Sequence, residues 1–347
     1  MSRGRKKLYS DGAVFHLKRL WKSMGMPAGR RLVAMLPDWL KDYSGNGYGP
    51  RVASELAQMS HATIERILKP ERARLGRALR TGTKSGRFHH RIPIKAFDRN
   101  AAVVGYLEAD TVAHCGDTMA GQFLWSLTAT DRKSGWTEVR AVWNKHSAQV
   151  AEAITELEGA FPFTLKGLST DNGSEFMNEV VVGALGPRGS RKSEIFLTRG
   201  RPYKKNDQSY VEQKNYTHVR KLLGYERLDC PEVTALVNDL YRNEWSHLQN
   251  FFMPQTKLIE KIRVGSKYKR RHSKPITPYR RLLESPEISD AVKAKLTERF
   301  QGLNPFKLTE AIERKLENIW KTQAAFEARR NLTVATIVHR VPSGNHS

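Results

Sequence analysis

Three carboxyl side chains, Asp110, Asp171 and Glu212, stand in a chain that leans strongly to positive charge. Its 347 residues hold 59 Lys and Arg against 35 Asp and Glu, a net +24. A phosphodiester is already negative, so attack on it means neutralising charge and activating a water or a 3′-hydroxyl. Two Mg²⁺ or Mn²⁺ ions roughly 3.5–4 Å apart do both. Such hard cations take carboxylate oxygens in preference to His or Cys. The intervals are 60 residues from Asp110 to Asp171 and 40 from Asp171 to Glu212. Only a fold that brings distant segments together can assemble the set.

The elements that must do so are legible from periodicity. Val103 to His114 is an apolar run, and Gln122 to Thr130 and Trp136 to Trp143 alternate, with a turn at Ser134-Gly135. Ser147 to Phe161 carries Val150, Ile154 and Leu157 at helical spacing. Leu165 to Thr170 and Ile195 to Thr198 read as two further strands, with a helical segment between them. A helix from about Asp207 to Leu223 closes the series, Asp207 serving as its N-cap. The pattern is α/β with a mixed five-stranded sheet. Asp110 falls on the first strand, Asp171 just past the fourth and Glu212 on the last helix. Asp171 also suits a turn before Asn172-Gly173. Glu175 reads as a neighbour of the acids, and His114 and Cys115 as structural.

Three strings sharpen this: Leu107-Glu108-Ala109-Asp110-Thr111-Val112, Leu168-Ser169-Thr170-Asp171-Asn172-Gly173-Ser174-Glu175-Phe176, and Lys205-Asn206-Asp207-Gln208-Ser209-Tyr210-Val211-Glu212-Gln213-Lys214-Asn215. In this order and separation they resemble the three motifs of the DDE integrase and transposase superfamily. The wording is similar to bacterial insertion-sequence transposases of the ISNCY type, firmly over about residues 95–225. The resemblance implies an RNase H-like core, Mg²⁺ (with Mn²⁺ able to substitute) on Asp110, Asp171 and Glu212, and DNA strand cutting followed by strand transfer. It also implies a homo-oligomer acting on double-stranded element ends and target DNA. The His-His-Cys-Cys zinc module of retroviral integrases has no match, since His89-His90 lack paired cysteines. A metal nuclease that cuts without joining, and a DNA-binding regulator without catalysis, are the competing readings.

Around the core the expected organisation is a helical, helix-turn-helix-like region at 1–70, a basic linker at 71–98, the catalytic core at 99–225, and a helical, basic DNA-binding or multimerisation region at 226–347. Val14, Leu17, Leu20 and Trp21, then Leu32, Met35, Leu36 and Leu40, recur at helical spacing. Val52 to Ala57 and Ala62 to Leu68 flank Met59-Ser60-His61, with Ser60 as N-cap. The second helix of that pair would present His61, Thr63, Glu65 and Arg66 to DNA. Lys214, His218 and Lys221 recur at spacings of four and three. With Arg199, Arg201, Lys204 and Lys205 they are expected to hold the DNA backbone. Arg263 to Arg281 contains eight Lys or Arg and no acid, including Lys269, Arg270 and Arg271, and adds affinity. So large a positive excess calls for a polyanionic partner. Two cysteines support neither a disulfide framework nor a four-thiolate zinc site. No run approaches the roughly 18 apolar residues of a membrane span, and a cytoplasmic, nucleoid-associated protein is expected.

Overall fold

The structure is a computed structural model that describes residues 8–74, 103–171, 173–187, 195–199 and 209–338. The chain forms two compact units, Met1–Lys84 with His247–Thr309 and Ser85–Ser246 with Glu310–Ser347. The first begins with α1 (Asp11–Ser23), α2 (Gly29–Trp39), α3 (Pro50–Gln58) and α4 (His61–Arg74). Leu17, Leu20 and Trp21 of α1 and Leu32, Met35 and Leu36 of α2 are buried, as their spacing predicts, whereas Val14 and Leu40 are half-buried and Trp39 takes the core position beside Leu40. Ser10 caps α1 by accepting from Ala13 N at 3.1 Å, and Glu55 on α3 accepts from Ser10 N and Oγ at 2.7 and 2.8 Å. Ser60 caps α4, accepting from Thr63 N at 3.2 Å.

The α3–α4 pair therefore forms where expected, but one outward residue turns inward. Glu65 accepts from Gly29 N at 2.5 Å and pairs with Arg72, so it ties α4 to α2. His61 and Arg66 stay exposed and Thr63 is half-buried. Helix α4 continues to Arg74, into the segment read as linker; the rest of that linker and His89-His90 lie outside the described residues.

The second unit holds β1 (Tyr106–Ala113), β2 (Leu124–Asp131), β3 (Thr137–Trp143), α5 (Ser147–Ala160), β4 (Gly167–Thr170), α6 (Glu179–Leu185), β5 (Phe196–Arg199), α7 (Ser209–Lys214), α8 (Lys221–Leu223) and α9 (Val233–Leu240). The strands order as β3-β2-β1-β4-β5, antiparallel across the first three and parallel from β1 to β4 to β5. This is the mixed α/β sheet read from the sequence. Every residue of β2 is buried, so the sheet is covered on both faces. The β2–β3 turn is locked by Asp131, which accepts from Ser134 N and Oγ at 2.6 and 2.7 Å and from Gly105 N at 2.9 Å.

Between α7 and α8 the backbone widens into a π-helical stretch, Asn215–Arg220, and further π turns, Tyr241–Trp245 and Leu248–Phe252, follow α9. The region from 226 onward departs from the helical expectation. Leu258–Val264 (β6) and Lys267–His272 (β7) pair as an antiparallel ribbon in the first unit, turning at Gly265, whose φ is +60°. Ile262 and Val264 alternate with cations, a period of two hidden by the charge run. Helices α10 (Pro278–Glu284), α11 (Asp290–Gln301) and α12 (Pro305–Val338) complete the chain. No helix among the described residues is long and apolar enough to cross a membrane.

Candidate active site

Parallel pairing of β1 with β4 sets the site. Ala109 lies opposite Thr170, so the next step on each strand brings Asp110, within β1, beside Asp171, just past the C-terminal end of β4. Asp110 accepts from Thr111 N at 2.8 Å and from Asn215 Nδ2 at 2.6 Å. Asp171 accepts from Gly173 N at 2.9 Å. Burial, then the Asp171 charge, pushes the Asp110 carboxyl up from its ordinary 3.8 to about 7; Glu175 adds to the rise. Asp171 is also raised, by burial first and then by Glu175. Each is thus held up by loss of water and by its neighbours' negative charge.

Glu175 completes the acidic cluster but is differently supplied. Its Oε1 accepts from Thr111 Oγ1 and from Lys145 Nζ, both at 3.0 Å. Gly173 permits the approach: a Cβ there would sit 2.6 Å from Glu175 Oε2 and 2.8 Å from Asp171 Oδ1. The Asp-Asn-Gly string therefore does more than turn the chain. Lys145 reaches Glu175 because two consecutive non-glycine residues, Asn144 and Lys145, adopt left-handed backbone at φ +61° and +40°. Its ammonium also lies 4.3 Å from the centre of the Trp125 ring.

Glu212 sits exposed on α7, three residues before Asn215. Helix α7 is anchored by Glu108, whose Oε2 accepts from Tyr210 N and Val211 N at 3.1 and 3.2 Å, placing a negative charge at a helix N-terminus. The buried Arg132 guanidinium stands 3.2 Å from the same carboxylate. So the first strand meets α7 and the π-helical stretch after it through Glu108, Asp110 and Asn215, and it pairs directly with the fourth strand. Among the described residues no three Asp, Glu, His or Cys side chains converge closely enough to hold one ion. Asp110 and Asp171 come together; Glu212 lies on the adjoining helix.

Fit to a divalent cation rests on the donor set. Two repelling carboxylates, each raised, offer hard oxygens, and Asn215 Oδ1 beside them is buried without a hydrogen-bond partner among the described residues. Both features suit Mg²⁺ or Mn²⁺. Sequence reasoning missed Asn215 and Lys145. The Asn215 signal was its three-residue offset from Glu212, whereas nothing local marked Lys145.

The basic residues divide. Lys214 and His218 are buried rather than DNA-facing, because the π turn breaks the four-and-three spacing that grouped them with the exposed Lys221. His218 Nδ1 is 2.9 Å from Thr217 Oγ1. Arg199 is likewise buried, on β5. Arg201, Lys204 and Lys205, and the N-cap position Asp207, lie outside the described residues. Lys269, Arg270 and Arg271 are exposed on β7. His114 is structural: it is buried, shares a 2.8 Å hydrogen bond with Ser126 Oγ, and burial lowers it to about 3. Cys115 and Cys230 are free thiols.

The chain is thus an α/β protein with two half-buried carboxyls side by side on adjacent parallel strands, Asp110 within β1 and Asp171 just past β4. It belongs to the same family as the protein of Sinorhizobium fredii described as "Uncharacterized protein y4rM", with 36% identity over 271 residues, 76% of this chain and 75% of the relative. No protein-family model matches it.

Proposed function

We propose that this protein is a DDE transposase with an RNase H-like core, cutting element-end DNA and joining the freed 3′-hydroxyl to target DNA. One observation carries the reading. In a chain of net +24, Asp110 and Asp171 are brought together with neutral amide donors, and no ion pair to either is found among the described residues. A merely structural acid pair in such a chain has cations in abundance to choose from. When bound, Mg²⁺ or Mn²⁺ supplies the positive charge that stabilises the phosphoryl group under attack and acidifies the attacking hydroxyl. Asp110 and Asp171 hold it, with Glu212 from α7 as the third carboxylate. Asn215 orients Asp110, while Lys145 keeps Glu175 engaged and out of competition. Joining two ends in concert calls for a homo-oligomer, working in the cytoplasm on the nucleoid.

The test uses duplexes from the DNA flanking the coding region, some with pre-cut 3′ ends. Cleaved and joined products are expected with Mg²⁺ or Mn²⁺. Asp110→Asn, Asp171→Asn and Glu212→Gln should each abolish both, and exposed Glu212 can be changed without disturbing the core. Cleavage with no joined product from pre-cut ends identifies a nuclease. Undiminished processing by Asp110→Asn overturns the enzyme reading.

A further inference from the structure

The β6–β7 ribbon breaks the rules by which sheets hold together. All thirteen of its residues are exposed, on both faces. A two-stranded ribbon with nothing buried is marginal in water. Cross-strand pairing makes it worse: Lys261 lies directly opposite Arg270, and like charges in register destabilise a sheet. Ile262 and Val264, both exposed, face Lys269 and Lys267. The ribbon carries six Lys or Arg against Glu260 alone.

Its two faces differ. One bears Glu260, Ile262 and Val264 with Lys267, Lys269 and Arg271, and there Glu260 pairs with Arg271 at 3.2 Å. The other bears Lys261, Arg263, Tyr268 and Arg270, with no acid. On it the Lys261 ammonium sits 4.3 Å from the centre of the Tyr268 ring. Local choices that contradict stability mark functional surfaces, and this one is complementary to a dense polyanion. We propose that the ribbon lies in the major groove of duplex DNA, with the Lys261, Arg263, Tyr268 and Arg270 face on the base edges. The major groove, about 12 Å wide, admits a two-stranded ribbon as it stands, whereas the minor groove, about 6 Å wide, takes one only in a bent or opened duplex. A seven-residue strand of about 23 Å tracks roughly seven base pairs. Arg263 and Arg270 fit guanine N7 and O6, the commonest specific contact. The inference deepens the DNA reading above and is independent of catalysis.

The experiment measures binding of the full chain to a random-sequence duplex pool, compared with the same pool carrying glucosylated hydroxymethylcytosine, which fills the major groove. Wild type should bind the filled duplex about tenfold more weakly, and the Arg263→Ala/Arg270→Ala variant should lose most of that discrimination. Discrimination contributed by α4 is common to both proteins and cancels. Equal discrimination in variant and wild type, displacement of the ribbon-dependent binding by netropsin in the minor groove, or equal ribbon-dependent affinity for an A-form RNA duplex each overturns the proposal. Asp110→Asn should keep the discrimination. Loss of cutting with ribbon-dependent binding intact, or the reverse, tells failure of one reading from failure of the other.

Discussion

Replacing Asp110 by Asn should stabilise the metal-free protein while abolishing its activity, and the stabilisation should depend on pH in a defined way. The folded state raises this carboxyl from 3.8 to about 7, so it holds the proton more tightly than the unfolded chain does. The resulting stability is fully present below pH 3.8 and is lost as pH rises through 7. Complete ionisation of a group so shifted costs about 4 kcal/mol. Residual solvent access at Asp110 screens part of the repulsion, and about 2 to 4 kcal/mol is expected at pH 8. Asparagine stays neutral; its one oxygen can accept from Thr111 N, and its NH₂ then meets Asn215, whose amide must turn to offer its unpartnered Oδ1. Urea unfolding in EDTA, followed by tryptophan fluorescence from pH 4 to 8, measures the difference between variant and wild type. Subtraction is needed because Glu138, pushed by burial to about 7, titrates in the same window and His114 titrates against it. The difference should be near zero at pH 4 and grow to its full size by pH 8. Adding Mg²⁺ should stabilise the wild type at pH 8 and leave Asp110→Asn unmoved. A difference flat across pH, or one favouring the wild type at pH 8 in EDTA, refutes the reasoning.

Other perturbations test the supports. Glu108→Ala strips α7 of its cap and leaves Arg132 buried without its carboxylate, so urea unfolding should show a loss of about 3 to 5 kcal/mol. Lys145→Met releases Glu175 towards the two aspartates; DNA cutting in Mg²⁺ should fall about tenfold or more, with Lys145→Arg restoring much of it. His114, lowered from 6.5 to about 3, contributes stability above pH 6.5 that is lost as pH falls towards 3. His114→Gln should therefore flatten the acid limb of the unfolding curve; an unchanged limb shows that the imidazole is not buried neutral.

How much of this the sequence discloses depends on whether the cause is local. Strand alternation and turn chemistry placed β1, β2, β3 and the Ser134-Gly135 turn within a few residues, and Ser60 announced its cap. The Asp110–Asp171 meeting was foreseeable once the first and fourth strands were taken as neighbours. Residues whose roles depend on backbone geometry were not legible. Counting Lys214, His218 and Lys221 at spacings of four and three assumed an ordinary helix, but the π stretch from Asn215 to Arg220 intervenes, and Lys214 and His218 are buried while Lys221 beyond it is exposed. Glu65 read as outward by period alone, yet a backbone amide of α2 claims it. The β6–β7 ribbon escaped because apolar alternation was short and buried in a charge run that suggests only affinity.

The distribution of local cost separates a binding site from an ordinary buried acid. Glu138 is a useful contrast: it too is pushed to about 7, but it accepts from Trp136 Nε1 at 2.8 Å and Ser246 Oγ at 2.7 Å, with Arg140 3.7 Å away. Its charge is answered from within the fold. Around Asp110 the reverse holds. Two carboxyls repel, Asn215 Oδ1 is buried without a donor among the described residues, and Asn144 and Lys145 hold left-handed backbone. An unsatisfied buried acceptor costs about 1 to 3 kcal/mol, and each strained residue about as much. Such costs persist only where surrounding structure imposes them, here the parallel β1–β4 register and the Glu108 anchor of α7. A divalent cation lowers the first two together, since it answers both carboxylates and accepts the amide oxygen. Costs that one ligand can relieve at one spot are more economically explained by that ligand than by separate accidents of packing.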